Sequence, residues 1–527
     1  MGLLTAILII ASTAATFTDA AVRRRHEDID LAESIDGQPP THWLPAQWSN
    51  DRIISEIEST EEIRARRQSG GDSCPPRAAR GDTAPHGFRL ELISPAGVRR
   101  GSCAPLGQPL RVRITTSDKY GAPHCRGGDF FEAELVGPRF KGRPMTVDNR
   151  DGTYTLDTTV PADRALEGRY LFRVTLLFTR YAGMTMRRGW RAGAHFKRPL
   201  TLRLGLRLSC GGANADEGPP LLLGGASCAH NVSRVYGGFG ARAAEWHGFW
   251  IQPPGGKCNP PYCVGDNDGA LGSRAEGWVY RLPACYFELL GTVAARQCLG
   301  GAWVHMLGDS NHQDTARNLA HAVLHVTTVK RGHEIPRTFD MMVRWSPGPR
   351  GAMRVSNVFN GHPRMLGNNV GLRSYDVDEF RARTRRSLTP AASGLGSRGP
   401  DAIIMNSGLH DALVGMPGGV WSPRAFDGVL RRALPFLASL VNGTAASHQS
   451  RGPRLRGPNG RALSVWRSTV APAGVKNRRL ALNPQKVEVM NRLTANVWHS
   501  MLGGDGFSAN ALVNFIDEYD MTFPWHW

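Results

Sequence analysis

Between residues 86 and 208 the chain alternates apolar and polar side chains. Leu110, Val112 and Ile114 alternate with polar residues, as do Phe131, Ala133 and Leu135. The longest such run carries Tyr170, Phe172, Val174, Leu176 and Phe178. A period of two predicts strands with one buried face. Ser117 to Gly121 and Asp148 to Gly152 supply turn residues between the runs. Several short alternating strands over this length predict a two-sheet β-sandwich of immunoglobulin-like kind.

After a Gly/Pro-rich boundary at 211–224 the pattern changes. Trp303 to Leu307 is apolar apart from His305, which predicts a short buried strand, and Gly308 allows a tight turn after it. Ala316, Leu319, Ala320, Val323 and Leu324 then follow at helical spacing. The stretch from Asp401 to Asp411 repeats the design, with an apolar strand running into Asn406-Ser407-Gly408. Further strands are expected at 338–345, 463–469 and 511–517, and helices at 423–441 and 487–501. Strands alternating with helices predict a parallel α/β sheet with crossover connections. Residues 22–85 are charged and rich in Gly, Pro and Arg, with 57–63 the only helix-like piece, and read as a mostly flexible stem or linker. Residues 225–302 form a Cys- and Trp-rich lead-in to the serine strand.

Composition narrows the setting. At 527 residues, 41% of them hydrophobic, the chain is long enough for two or three packed domains. The formal charge of +19 is carried mostly by scattered Arg, without a compact basic cluster, an RNA-binding signature or zinc-finger spacing. Nucleic acid is therefore not the expected partner, and no metal or organic cofactor is implied. Residues 1–21 read as a signal peptide cleaved near Ala20, or as a retained membrane anchor. All nine cysteines precede the Gly308-Asp309-Ser310 turn, and such clustering behind a signal sequence reads as disulfides, with one thiol left over. Two acceptor sequons, at Asn231 and Asn442, agree with a luminal or extracellular setting.

A serine on a sharp turn between a buried strand and a helix N-terminus has the placement a nucleophile needs. Turn and helix-end amides can there face an oxyanion. The competing local reading is that Asp309 and Ser310 only cap the helix. Taken with Asn406-Ser407-Gly408-Leu409-His410, the Gly308-Asp309-Ser310 block resembles the GDSL/SGNH hydrolase superfamily, in its PC-esterase branch. That branch includes plant trichome-birefringence-like O-acetyltransferases and NXPE proteins. The Cys- and Trp-rich lead-in resembles the same proteins, and the run from Val147 to Tyr154, followed by Gly168-Arg169-Tyr170, resembles a filamin-type repeat. The resemblance implies a filamin/immunoglobulin-like sandwich at 86–208 and a three-layer SGNH-like α/β domain at 225–527. It implies Ser310 as nucleophile, Asn406 as oxyanion donor, Gly361 as a second donor, and Gly308 and Asp309 as supporting residues.

The family's base comes from a C-terminal Asp-x-x-His block, which this sequence does not show near its end. Either His526 is the base, oriented by Asp520 or Asp517, or the chain stops short of that block. His312 and His410 lie near the site without matching the family's base. The expected activity is hydrolysis or transfer of O-acyl groups, chiefly acetyl, on a glycan or polysaccharide. Water or a sugar hydroxyl would be the acceptor, in the Golgi lumen or outside the cell, with membrane contact only through the N-terminal anchor. The alternatives are an extracellular binding module on a degenerate scaffold, and a general lipid or small-ester esterase.

Overall fold

The computed structural model describes residues 48–65, 83–84, 87–95, 103–185, 201–208, 226–227, 248–252, 263–264, 278–281, 285–286, 289–326, 335–360, 371–389, 399–413, 421–443, 462–471, 482–502 and 513–516. It has mixed α/β content with several sheets. Four antiparallel strands form one sheet in the order Phe88–Ser94, Pro109–Thr116, Thr153–Thr159, Met145–Asp148. A nine-stranded sheet faces it, with Phe140–Gly142, Phe130–Gly137, Gly168–Phe178 and Thr201–Leu208 as consecutive neighbours. The two share one apolar core, in which Leu110, Val112, Ile114, Tyr154 and Leu156 meet Phe131, Leu135, Phe172, Val174 and Leu176. Strand Pro109–Thr116 buries every second residue, as its alternation predicts.

The nine-stranded sheet reaches further along the chain than the sequence reading. Phe249–Ile251 pairs with Phe140–Gly142, and Val279–Arg281 pairs with Phe249–Ile251. Part of the Cys- and Trp-rich lead-in therefore extends this sheet, while its Trp250, Trp278 and Tyr280 pack in one core with Val304 and Met306. Strands of three residues are too short to show a period, which is why the pattern did not reveal them.

A six-stranded sheet carries the rest: β1 (Trp303–Gly308), β2 (Phe339–Arg344), β3 (Ala352–Phe359), β4 (Ala402–Asn406), β5 (Leu463–Arg467) and β6 (Val513–Ile516). The spatial order is β2-β3-β1-β4-β5-β6; β2 is antiparallel and the other five strands are parallel. Both faces are covered, as the continuous apolar runs of β1 and β4 require. Leu307, Val358, Met405 and Trp466 face one core, shared with helices Pro423–Gly443 and Pro484–Leu502. Val304, Met306, Val355, Ile404 and Val465 face the other, shared with helix Thr292–Leu299.

Helix Asn50–Ala65 lies within the stretch read as a flexible stem. Ile53, Ile54 and Ile57 are buried in the first of those two cores. Burying three isoleucines is worth about 5 to 9 kcal/mol before ordering costs, enough to hold a charged, weakly amphipathic segment in place. Asn496 Nδ2 donates to the Trp48 carbonyl at 3.0 Å, and Arg150 donates to Glu56 at 3.1 Å. The sandwich and the α/β sheet also meet directly. Phe130, Leu177, Phe178, Tyr181 and Met184 enter the core of Leu307 and Met405, and the Gly183 N–H donates to Gln485 Oε1 at 2.8 Å.

Candidate active site

The five parallel strands, numbered by chain position, are crossed in both directions. The chain leaves β1 to one side to form β3, then passes to the other side for β4, β5 and β6. The crossover direction reverses between β1 and β4, and beyond the carboxyl ends of strands at such a reversal an open crevice forms. Gly308-Asp309-Ser310 ends β1, Phe359-Asn360 ends β3, and Asn406-Ser407 ends β4. The Asn360 N–H donates to the Gly308 carbonyl at 2.9 Å, which extends the β1/β3 ladder to the edge of the crevice.

Gly308 is fixed by packing. A Cβ there would lie 2.6 Å from His312 Cε1 and 2.7 Å from the Asn406 carbonyl oxygen. The turn that follows leads into helix Asn311–Asn318. Its cap is Asp309, whose Oδ1 accepts from the Asn311 N–H at 2.9 Å. Ser310 has helical backbone angles and makes no side-chain capping bond. Capping thus accounts for Asp309 and not for Ser310, whose half-buried hydroxyl is engaged by no other described residue.

At this end of the sheet lie several buried polar side chains. Asp309 is fully buried, and its Oδ2 has no partner among the described residues. Burial pushes its carboxyl up to about 6, against the Asn311 bond and the Arg467 charge. His312 is also fully buried, with Nδ1 3.1 Å from Asn357 Oδ1. Burial and then Arg467 hold it well below the usual histidine range, so it is neutral, and His312 Nε2 has no partner among the described residues. His410 packs edge-on to Phe359 with centroids 5.4 Å apart, and burial, aided by Arg337, lowers it to about 4. Neither histidine is poised to accept a proton near neutral pH.

Asn406 lies at the end of β4, as its place in the second block leads one to expect. Its Nδ2 donates to the Arg467 and Ser468 carbonyls at 3.1 and 3.3 Å, while its Oδ1 is buried with no partner among the described residues. In this orientation the amide ties β4 to the end of β5. Asn360, next to the oxyanion candidate Gly361 in sequence, is fully buried. Its Nδ2 donates to Ser407 Oγ at 2.8 Å, and Ser407 in turn donates to Asp411 Oδ2 at 2.6 Å. Asp411 Oδ1 accepts from the Leu372 N–H at 2.9 Å, and burial raises this carboxyl to about 6.

Arg467, buried at the end of β5, donates to Thr315 Oγ1 at 3.0 Å and places its charge near Asp309 and His312. Asn360 stands beside Gly361 and Asp411 closes the second block, but the sequence assigns neither a role, and no motif marks Arg467. The signal available was position, since Asn360 and Arg467 stand at or just past strand carboxyl ends. Gly361, Asp520 and His526 lie outside the described residues. Among the described residues no cluster of three His, Cys, Asp or Glu side chains is arranged to hold a metal. In comparisons with known proteins, no family model and no curated protein matches the chain.

Proposed function

We propose that the chain is a serine-dependent O-acyl hydrolase or transferase of SGNH type, acting on glycan acyl esters, chiefly acetyl, in the secretory lumen or outside the cell. One observation carries the reading: Ser310 stands at the crossover reversal with a hydroxyl that neither caps its helix nor bonds a described neighbour. Ser310 Oγ attacks the ester carbonyl carbon, and its proton passes to a base. The tetrahedral oxyanion collapses, and the leaving sugar oxygen takes the proton back. Water or a second sugar hydroxyl then repeats the sequence on the acyl-enzyme.

The oxyanion donors are the Ser310 N–H at the turn and, after its amide turns over, Asn406 Nδ2. The turnover breaks the two bonds to the Arg467 and Ser468 carbonyls. The base is His526, oriented by Asp520. β6 runs parallel to β5 and ends at Ile516 on the same sheet end as Ser310. Three strand spacings separate β6 from β1, roughly 14 Å. The ten residues from Ile516 to His526 (526 minus 516) can span about 33 Å when extended. Reach is therefore ample. The immunoglobulin-like and filamin-type reading of residues 86–208 belongs to the same proposal, and the shared core of the two facing sheets supports it.

The orientation of the Asn406 amide favours a second reading, a non-catalytic binding module on an SGNH-like scaffold. The two separate on covalent labelling of the folded protein with a fluorophosphonate probe, read by intact mass. Single labelling of wild type, lost in Ser310→Ala and reduced in His526→Ala, supports the enzyme. Absence of labelling in folded wild type, or labelling retained in Ser310→Ala, overturns it.

A further inference from the structure

The two facing sheets carry their surface charge in opposite ways. On the four-stranded sheet, outward charges alternate in sign. Arg111 bonds Asp157 at 2.9 Å, and Arg113 stands opposite Glu91. On the nine-stranded sheet, strands Gly168–Phe178 and Thr201–Leu208 pair Arg169 with Arg207 and Arg173 with Arg203. All four side chains are exposed. Of these four, only Arg173 has an ion-pair partner among the described residues, Glu134 at 2.8 Å. Like charges directly opposite across an antiparallel pair are destabilising. Two such pairs in succession on one face store charge that an anionic ligand would neutralise.

Between the two arginine pairs lies Leu171 opposite Gly205, both partly exposed. A Cβ on Gly205 would meet nothing within 4 Å. The surface there is a shallow apolar gap flanked on each side by guanidinium groups, the pairs about 13 Å apart along the strand. That shape suits a sugar ring lying on Leu171 and Gly205 with anionic substituents reaching both arginine pairs. Guanidinium forks bind carboxylate and sulfate oxygens in bidentate fashion.

Two observations favour a polysaccharide over a nucleic acid. No outward residue on this strand pair is aromatic, so the face offers no platform for stacked bases. Cys103, whose strand pairs at Arg207, is disulfide-bonded, which places the face in an oxidising compartment. We propose that the outward face of these two strands binds an anionic polysaccharide, sulfated or rich in uronic acid, through Arg169, Arg173, Arg203 and Arg207. The site does not draw on the acyl-transfer reading.

The test is binding of a size-defined heparin oligosaccharide to the full chain, measured calorimetrically across a salt series. Arg169→Ala/Arg203→Ala/Arg207→Ala should weaken binding at least about tenfold near physiological salt. It should also lower the slope of log affinity against log salt by about three, one per arginine. Because the chain carries +19 overall, the control removes the same charge elsewhere, with the exposed residues changed as Arg344→Ala/Arg350→Ala/Arg386→Ala. That control should change affinity less than about twofold, and Ser310→Ala should leave it unchanged. Equal loss in both triple variants would reduce the effect to net charge and overturn the proposal. So would a single-stranded RNA bound as tightly with the same dependence on the three arginines.

Discussion

Asp309 offers a direct test of how the turn before Ser310 is held. The carboxyl is fully buried, and one oxygen is bonded to the Asn311 N–H while Oδ2 has no partner among the described residues. Burial raises it from 3.8 to about 6 in the folded chain. A rise of that size corresponds to about 3 kcal/mol. A folded-state value above the unfolded one means that the native chain binds the proton more tightly. Its contribution is therefore fully present below pH 3.8 and is lost as pH climbs through about 6. In Asp309→Asn the titration is gone, while the Asn carbonyl can still accept from Asn311. Denaturant unfolding of wild type and variant should be compared at pH 3.5 and pH 8. The difference in stability, wild type minus variant, should fall by about 2 to 3 kcal/mol across that range. A difference that stays constant would mean that Asp309 is solvated or paired, and the account of a dry turn would be wrong.

Three further perturbations probe the frame. Gly308→Ala drives a Cβ to 2.6 Å from His312 and 2.7 Å from the Asn406 carbonyl. It should cost about 1 to 3 kcal/mol and slow probe labelling of Ser310; a neutral effect on both would show the turn to be loosely packed. Ser407→Ala removes the hydroxyl that joins Asn360 to Asp411. Two buried groups lose a partner, and unfolding free energy should drop by about 2 to 4 kcal/mol, whereas a loss under 1 would mean that water replaces the hydroxyl. Ile57→Ala tests the docking of helix Asn50–Ala65, since Ile57 is fully buried. A loss of about 2 to 4 kcal/mol in denaturant unfolding is expected, and no loss would detach the helix from the core.

What the sequence disclosed and what it hid follow from one physical difference. Leu110, Val112, Ile114 and, His305 apart, the run from Trp303 to Leu307 are buried because they are apolar, so their pattern is visible without knowing any neighbour. β3 is not legible in the pattern because three of its eight buried positions, Arg354, Ser356 and Asn357, are polar. Arg354 lies 3.8 Å over the Trp303 ring and bonds Asp340, Ser356 bonds both Trp303 Nε1 and His305, and Asn357 bonds His312. Each polar side chain is tolerated inside only because a partner 14 to 53 residues away satisfies it. Read locally, the same residues describe a solvated surface. The second half of helix Asn50–Ala65 is helix-like in the sequence, at 57–63, but its first turns and its docking are not legible, since three isoleucines in a charged segment reveal a buried stripe only once the core that receives them is known.

The same distinction runs through the candidate site. The position of Ser310 is a local property, a strand followed by a glycine and a helix, and a short segment states it in full. The role of Asn406 is not local, because an amide offers a donor at one end and an acceptor at the other. Which end faces the crevice depends on the Arg467 and Ser468 carbonyls more than sixty residues away. Residue identity places an amide at the end of β4; the partner carbonyls decide what it can stabilise. An oxyanion formed at Ser310 would be repelled by Asn406 Oδ1 and attracted by Nδ2, so catalysis requires the amide to turn. That requirement separates the two readings of the site. In an enzyme, Asn406→Asp should abolish labelling of Ser310, because a carboxylate presents an acceptor in either orientation. Unchanged labelling of a folded Asn406→Asp variant would leave Asn406 a tie between β4 and β5, and the oxyanion would rest on backbone amides alone.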